Sequence, residues 1–160
     1  MTALEIRPAE GALDLAEVKR LFEEYAVWIA VDLSFQNFAE EMAGLPGAYA
    51  PPPGALLLAW AGGAPAGCIA VRRIDDRDCE MKRLFVRDSF RGLGAGEKLA
   101  RAAIEWARGA SYQRMLLDTL PSMGAAHKLY ERLGFKEIPA YRFNPVEGTR
   151  FLGLPLNPIS

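Results

Sequence analysis

Six residues, Arg91-Gly92-Leu93-Gly94-Ala95-Gly96, constrain the chain more than any others, because they join an apolar run, Leu84-Phe85-Val86, to an amphipathic helix pattern beginning at Glu97. A strand feeding a helix through glycines gathers several backbone N–H groups at the positive end of the helix dipole, and the missing side chains let a ligand come close. Such a turn suits phosphate, although small residues packed at a helix entry give the same pattern. Two nucleotide motifs fail against it. Gly96 is followed by Glu97, so the phosphate lysine and magnesium hydroxyl of a P-loop are missing. The dinucleotide fingerprint fails too: Gly92, Gly94 and Gly96 are spaced by two throughout, and the turn lies past the middle of the chain, not in an initial βαβ unit.

The chain has the size of one domain, 1–160, and its 51% hydrophobic residues suffice for a sound core. Basic residues number 19 against 20 acidic and are scattered, which gives no reason to expect nucleic acid or an anionic membrane as partner and points to a small one. Cys68 and Cys79 lie in apolar, strand-like surroundings without CxxC spacing, which favours buried reduced thiols in a cytoplasmic protein over a disulfide or metal site. No apolar run approaches a membrane span and Met1–Arg7 lacks the long apolar region of a signal peptide, so a soluble, unprocessed chain is expected.

Taken in order, Leu4-Glu5-Ile6-Arg7 alternates like a strand that Pro8 ends. Val18, Leu21, Phe22, Tyr25, Trp28 and Ile29 then recur at three and four, placing an aromatic stripe on one helix face, either core packing or a ligand wall. Ser34 is placed to cap a second helix carrying Phe35, Phe38 and Met42, and Gly44–Gly54 reads as a proline-rich loop. Ala55–Ala61 and Ala66–Arg73 form a hairpin about Gly62-Gly63-Ala64-Pro65, and the polar turn Asp75–Asp78 leads into a strand Cys79–Val86. After the glycine turn, Ala95, Leu99, Ala102, Ala103 and Trp106 mark a helix that Gly109 stops. Tyr112–Leu120 has the continuous apolar run of a strand buried on both faces, and Ser122 precedes a helix with inner positions Ala126, Leu129 and Leu133. Phe135–Ile138 and Thr149–Leu156 read as strands around a turn near Asn144-Pro145; only the strands before 90 look like an antiparallel meander.

The strand Glu80–Val86, the turn Arg91–Gly96 and the helix ending Leu129-Tyr130-Glu131-Arg132-Leu133-Gly134-Phe135, in that order, resemble the GNAT superfamily of acyl-CoA-dependent N-acyltransferases. The family's Arg/Gln-x-x-Gly-x-Gly/Ala signature falls on Arg91, Gly94 and Gly96, and its Leu-Tyr-x-x-x-Gly-Phe signature on Leu129, Tyr130, Gly134 and Phe135. Residues 80–136 carry the likeness, and the first 79 match in element order alone. The resemblance implies an α/β (α+β) fold: a mixed, strongly bent central sheet of six to seven strands, helices on both faces, and a splayed strand pair, through Val86 and through Leu117, that holds acyl-CoA. It implies that the backbone of Leu84, Phe85 and Val86 pairs with the pantetheine arm and that the amides of Arg91, Gly92, Leu93, Gly94, Ala95 and Gly96 hold the pyrophosphate. One departure stands out. Many members place a CoA-contacting Asn three residues before the helix alanine, where this chain has Met123 ahead of Ala126.

The implied activity is acetyl transfer from acetyl-CoA, without metal, to a primary amine of a small molecule, by a monomer or homodimer; a CoA-binding sensor or scaffold of the same fold is the alternative. Such transfer needs a neutral amine, a stabilised oxyanion and a proton for the leaving thiolate. Tyr130 matches the family's proton donor. Glu80 opens the strand that would hold the thioester, about four rises or roughly 13 Å from Leu84, and is a general base acting through water or else an ion pair with Lys82 or Arg101 at the sheet surface. The oxyanion falls to the N–H of Leu84 or Phe85. His127, one turn before Tyr130, faces the cleft or solvent. By position, Tyr25, Trp28, Phe35, Tyr141 and Phe143 would shape the acceptor site, with Asp32 or Glu80 for an ammonium group.

Overall fold

Alternating apolar residues before residue 90 give an antiparallel meander in the computed structural model, which describes residues 3–29 and 37–156. It runs β1 (Leu4–Pro8), β2 (Ala55–Ala61), β3 (Ala64–Arg73) and β4 (Asp78–Val86), each strand antiparallel to the last. Beyond β4 the sheet changes sense: β5 (Arg114–Thr119) is parallel to β4, and β7 (Arg150–Pro155) is antiparallel to both β5 and β6 (Lys136–Glu137). Among the described residues the sheet therefore has seven strands in the order β1-β2-β3-β4-β5-β7-β6, mixed as expected, with antiparallel pairing on the late side as well as before residue 90. Strand ends are shorter than the sequence suggests. Tyr112 lies before β5, and β6 keeps two residues ahead of Pro139.

Helices cover both faces. On one, α1 (Gly11–Ile29) buries Val18, Leu21 and Phe22 against Leu56, Leu58, Cys68, Ala70 and Phe85, and α2 (Phe38–Gly44) adds Phe38 and Met42 at the edge of that cluster. On the other, α3 (Ala95–Gly109) and α4 (Gly124–Leu133) share a core with Ile69, Val71, Met81, Met115 and Leu117. Ala100, Ala103 and Ala107 bring α3 close to the sheet, and Leu99, fully buried there, contributes roughly 1.5–3 kcal/mol by leaving water. Ser34, Phe35 and Asp32 lie outside the described residues. Cys68 and Cys79 are buried free thiols, and among the described residues no helix is long and apolar enough to cross a membrane.

Two features at the middle of the sheet set up the site. β4 and β5 pair only through Asp78–Arg114, Cys79–Met115 and Glu80–Leu116, after which both strands continue unpaired with each other. Within β4, Cys68 opposes Phe85 while Ala70 opposes Lys82, so Arg83 and Leu84 together face Ile69. Such a bulge bends its strand and raises the local twist, which accounts for β4 leaving β5. It also reverses the alternation: Cys79 and Met81 point to the α3 side and Phe85 to the α1 side. β3 follows the bend closely. A Cβ at Gly67 would stand 2.5 Å from the Phe85 carbonyl oxygen, so no larger residue fits there without moving backbone.

Candidate active site

The glycine turn lines one side of a groove of about 420 Å³ that runs along the unpaired end of β4, between Leu84–Val86, residues 90–97 and the exposed face of α4. Gly94, with φ of +80°, is the residue from which α3 starts, a conformation that a side chain would strain. At Gly96 an added Cβ would meet only a Val86 methyl at 3.9 Å, an ordinary contact. Arg91 and Arg132 line the groove, and Arg91 Nε donates to the Val86 carbonyl at 3.0 Å, which ties the turn to the strand. Of the expected cofactor residues, Leu84, Phe85, Val86, Arg91, Gly92, Gly94, Ala95 and Gly96 line this groove, whereas Leu93 is exposed on the outside of the turn. Met123, Ala125 and Ala126 form the opposite rim. Strand amides without a neighbour on one side, amides at a helix N-terminus and two guanidinium groups are the donors that a pantetheine amide arm and a pyrophosphate require, so these residues fit CoA.

At the inner end of the groove, where the strands part, a small space of about 30 Å³ is bounded by Lys82, Arg83 and Leu84 of β4, Leu117, Asp118 and Thr119 of β5, and Tyr25, Met123 and Tyr130. Tyr130 is more buried than the helix pattern suggests, only 6% exposed, with its ring 5.7 Å from that of Phe135. Burial first, then Tyr25 and Asp118, holds its phenol above the usual pKa, so it keeps its proton at neutral pH. Thr119 Oγ1 is buried beside it with no hydrogen-bond partner among the described residues. The bulge is fixed from the α1 side. Arg83, at φ of +62°, donates to both Glu41 oxygens at 2.9 and 3.0 Å and lies 5.6 Å and 5.3 Å from the Tyr25 and Phe38 rings, which offsets roughly 1–2 kcal/mol of left-handed strain.

Glu80 is fully buried, so the ion pair expected at the sheet surface is corrected in place and in part in partner: Lys82 acts on Glu80 from within the interior, whereas Arg101 bonds Glu97 instead. Arg72 Nε donates to Glu80 Oε1 at 2.7 Å, an Arg142 guanidinium N–H donates to the same oxygen, and the Tyr141 hydroxyl donates to Oε2 at 2.6 Å. Burial alone would raise this carboxyl, but Lys82, Arg142, Arg72 and the Tyr141 hydrogen bond together hold it below the usual range. The same surroundings act oppositely on Lys82, whose ammonium is pushed down to about 7 by burial and then by Arg83, against the pull of Glu80.

Of the expected acceptor residues, Tyr25 reaches the cleft and Tyr141 reaches Glu80, whereas Trp28 sits along the groove with the Arg91 guanidinium 5.1 Å above its ring, and Phe143 is exposed. His127 Nε2 bonds the Leu120 carbonyl at 2.9 Å and so braces the turn before α4, pointing neither into the cleft nor freely to solvent. Sequence reasoning missed Arg72, Arg83 and Arg142 as members of one cluster. The signal for it was Glu80-x-Lys82-Arg83, three charges inside an apolar strand, since charged residues are rarely buried unless paired.

The chain is similar to known proteins in sequence and in fold. A model of the acetyltransferase (GNAT) family matches residues 15–135. An uncharacterised N-acetyltransferase of Schizosaccharomyces pombe is 37% identical over 146 residues, covering 90% of both chains. The N-acetylaspartate synthetase of Danio rerio is 37% identical over 100 residues, 61% of this chain but 36% of that protein. Among solved structures, an acetyltransferase of Streptococcus agalactiae superposes with a TM-score of 0.79 at 25% identity, covering 96% and 98% of the two chains. A Salmonella typhimurium acetyltransferase with its cofactor acetyl-CoA has the same fold, at a TM-score of 0.68 and 22% identity, covering 97% of this chain and 95% of that one. With its parted strands, glycine turn and buried tyrosine joined to a family match over most of its length, the chain belongs to the GNAT acetyltransferases.

Proposed function

We propose that this chain moves the acetyl group of acetyl-CoA directly to a primary amine of a small molecule, acting as a monomer or homodimer in the cytoplasm, where buried thiols such as Cys68 and Cys79 remain reduced. The observation that carries the reading is the place of Tyr130: a buried, protonated phenol at the point where β4 parts from β5, at the inner end of the groove lined by the glycine turn. Acetyl-CoA supplies an acyl thioester, and the chain's residues supply the rest. Leu84–Val86 offer strand amides and the Arg91–Gly96 turn offers helix-terminal amides, so that the groove grips the carrier and leaves its reactive end at the cleft. As the amine nitrogen bonds the carbonyl carbon, the N–H of Leu84 or Phe85 receives the charge on oxygen; as the C–S bond breaks, Tyr130 gives its proton to sulfur.

The proton lost by the amine has two possible owners, bulk water and Glu80. With three donors on its oxygens and a lowered proton affinity, Glu80 is better suited to anchor Arg72, Tyr141 and Arg142 than to act as base. A thiol-release assay with acetyl-CoA and a panel of primary amines tests the reading as a whole. Transfer above the blank with any amine supports it, and CoA binding without transfer to any of them would make this a sensor or scaffold instead.

A further inference from the structure

At its apex the gap between β4 and β5 joins the two faces of the sheet. Met115 and Leu117 of β5 belong to the core under α3 and α4, so Asp118, next along the strand, points to the α1 face and Thr119 back again. Beyond the pairing of Glu80 with Leu116, β5 is no longer paired with β4. Asp118 and Tyr25, from the α1 face, therefore line the same space of about 30 Å³ as Met123 and Tyr130, from the α4 side.

Asp118 is the carboxylate of that space. It is half-buried, and Asn144 Nδ2 donates to its Oδ2 at 3.2 Å while Asn144 Oδ1 accepts the N–H of Val146 at 2.9 Å, so the segment between β6 and β7 fixes its orientation. Among the described residues its other oxygen, Oδ1, accepts no hydrogen bond. The cations on the same wall engage other carboxylates: Arg83 donates to both oxygens of Glu41, and Glu80 is the carboxylate that pulls on Lys82. Burial foremost, with the Asp118 charge as a lesser cause, holds the phenols of Tyr25, Tyr130 and Tyr141 above their usual range. Thr119 adds a second requirement. Its Oγ1 is buried in this wall without a partner among the described residues, a state in which buried hydroxyls are rarely left. An ammonium head is close to a water molecule in size and carries three N–H donors, and Asp118, Thr119 and Tyr25 offer acceptors around a space of that size. Arg83 and Lys82 disfavour the charged form of a nitrogen that enters, which presses its proton toward the carboxylate.

Resting on the acetyl-transfer reading, we infer that Asp118 is a catalytic residue: it seats the ammonium of the acceptor at the apex of the parted strands and takes its first proton, with Thr119 as a second acceptor. The lone pair so freed forms the C–N bond at the thioester carbon. The C–S bond breaks with its electron pair on sulfur, which takes the phenol proton of Tyr130, and the second nitrogen proton restores that phenol. Asp118 then releases its proton to solvent, so the products are the N-acetyl amine, the CoA thiol and a proton. Water is the last receiver of that proton and not the first.

The test is thiol release from acetyl-CoA with the full chain and the best acceptor of a panel of primary amines, from about pH 6 to about pH 9. Asp118→Asn should lower kcat/KM for the amine by about 10²- to 10⁴-fold at pH 7, with CoA affinity by calorimetry unchanged. That defect should shrink about tenfold per pH unit as pH rises, because the variant depends on amine already deprotonated in solution. Lys82, whose ammonium titrates at about 7, and Tyr25, Arg83, Tyr130 and Tyr141 surround Asp118 in both chains, so their titration cancels in the ratio of the two profiles. Asp118→Glu should restore part of the rate, and Asn144→Ala, which keeps the carboxylate, should lose less than about tenfold. A defect of one size at every pH, or an Asn144→Ala chain as slow as Asp118→Asn, makes Asp118 a brace for the segment between β6 and β7; it overturns the inference and leaves the acetyltransferase reading intact. No transfer by the native chain to any amine, while CoA still binds, overturns both. Should Asp118→Asn fold poorly, the native chain decides with the same acceptor and a fluorinated, less basic analogue that is unprotonated at neutral pH. The ratio of their kcat/KM values should stay level between about pH 6 and about pH 8, and a ratio rising about tenfold per unit, the mark of amine taken only in its neutral form, overturns the inference.

Discussion

The two sides of the parted strands are built in opposite ways. The groove side is made of backbone and of residues close in sequence: Leu84–Val86, the turn at 91–96 and the start of α3 follow one another within 14 residues. The Glu80 side is made of side chains brought from afar, with hydrogen bonds that span 42 residues from Arg83 to Glu41, 61 from Tyr141 to Glu80 and 62 from Arg142 to Glu80. A carrier shared by many enzymes can be gripped through amides, which tolerate change in side chains. An acceptor particular to one enzyme needs chosen charges, and the fold must supply them wherever they come from.

Breaking the chemistry that both sides serve should give the largest effect. Tyr130→Phe keeps the ring and its burial, so CoA affinity and folding should change little, by about 1 kcal/mol if one hydrogen bond is lost. Turnover should fall by about 10²- to 10⁴-fold, the usual worth of general-acid assistance. The defect should shrink with a thioester whose thiol has a low pKa and leaves without a proton. Near-full turnover of Tyr130→Phe with acetyl-CoA would reduce Tyr130 to a packing residue.

The Glu80 side alone is broken by Glu80→Gln, which leaves Arg72, Lys82 and Arg142 facing a neutral amide. Removing one partner of a buried ion pair costs about 3–5 kcal/mol, so chemical denaturation at pH 7 should show a loss near the low end, the amide still accepting hydrogen bonds. The sign with pH follows from the lowered carboxyl. In the unfolded chain Glu80 titrates near its ordinary value of about 4.3, so its contribution is whole above that and is lost as pH falls through the lower folded value. The gap between the native chain and Glu80→Gln should accordingly close below about pH 4. A gap independent of pH would mean that the carboxylate is not what the arginines hold. The rate profile separates the two roles of Glu80: a base gives a variant whose defect grows toward low pH, an anchor one that raises the acceptor KM at every pH.

This contrast also explains what was legible in the sequence. Gly94 and Gly96 announce the groove because a phosphate turn needs residues of one kind at fixed short spacing, and Tyr130 is readable because Leu129, Gly134 and Phe135 fix its helix end. Alternation and helical spacing gave the strands and helices for the same reason. The parting of β4 from β5 rests on a bulge at Arg83, and nothing in the order Lys82-Arg83-Leu84 distinguishes a bulge from a regular strand. Nor does local pattern say that Arg142 returns to Glu80, since that contact is decided by how β7 inserts between β5 and β6.

A smaller effect is expected on the groove side. Gly96→Glu introduces a Cβ that the protein accommodates, 3.9 Å from Val86, so stability should hold while the new carboxylate meets the phosphates. Calorimetric titration should show CoA affinity reduced at least about tenfold, and reduced less at high salt, because like charges near a surface repel by a few kcal/mol before screening. Unchanged affinity would move the pyrophosphate elsewhere.

The smallest expected effect concerns the boundary between the two sides, which Trp28 marks. By sequence position it would be an acceptor residue, yet its ring lies 5.5 Å from Phe85 and under the Arg91 guanidinium, both lining the groove, while Tyr25, one turn earlier on α1, faces the cleft. Two residues three apart on a helix share a face but not a depth along it, so a strand pair that opens progressively can meet one at its apex and the other at its mouth. Trp28 is 44% exposed, and a cation–π contact so open to water is worth about 0.5–1 kcal/mol. Trp28→Ala should therefore raise KM for acetyl-CoA by about two- to fivefold through a less well-held Arg91, with KM for the amine and kcat nearly unchanged. If KM for the amine moves instead, the acceptor reaches past Tyr25 toward the mouth, and the division between a backbone-built side and a charge-built side must be redrawn to include Trp28 in the second.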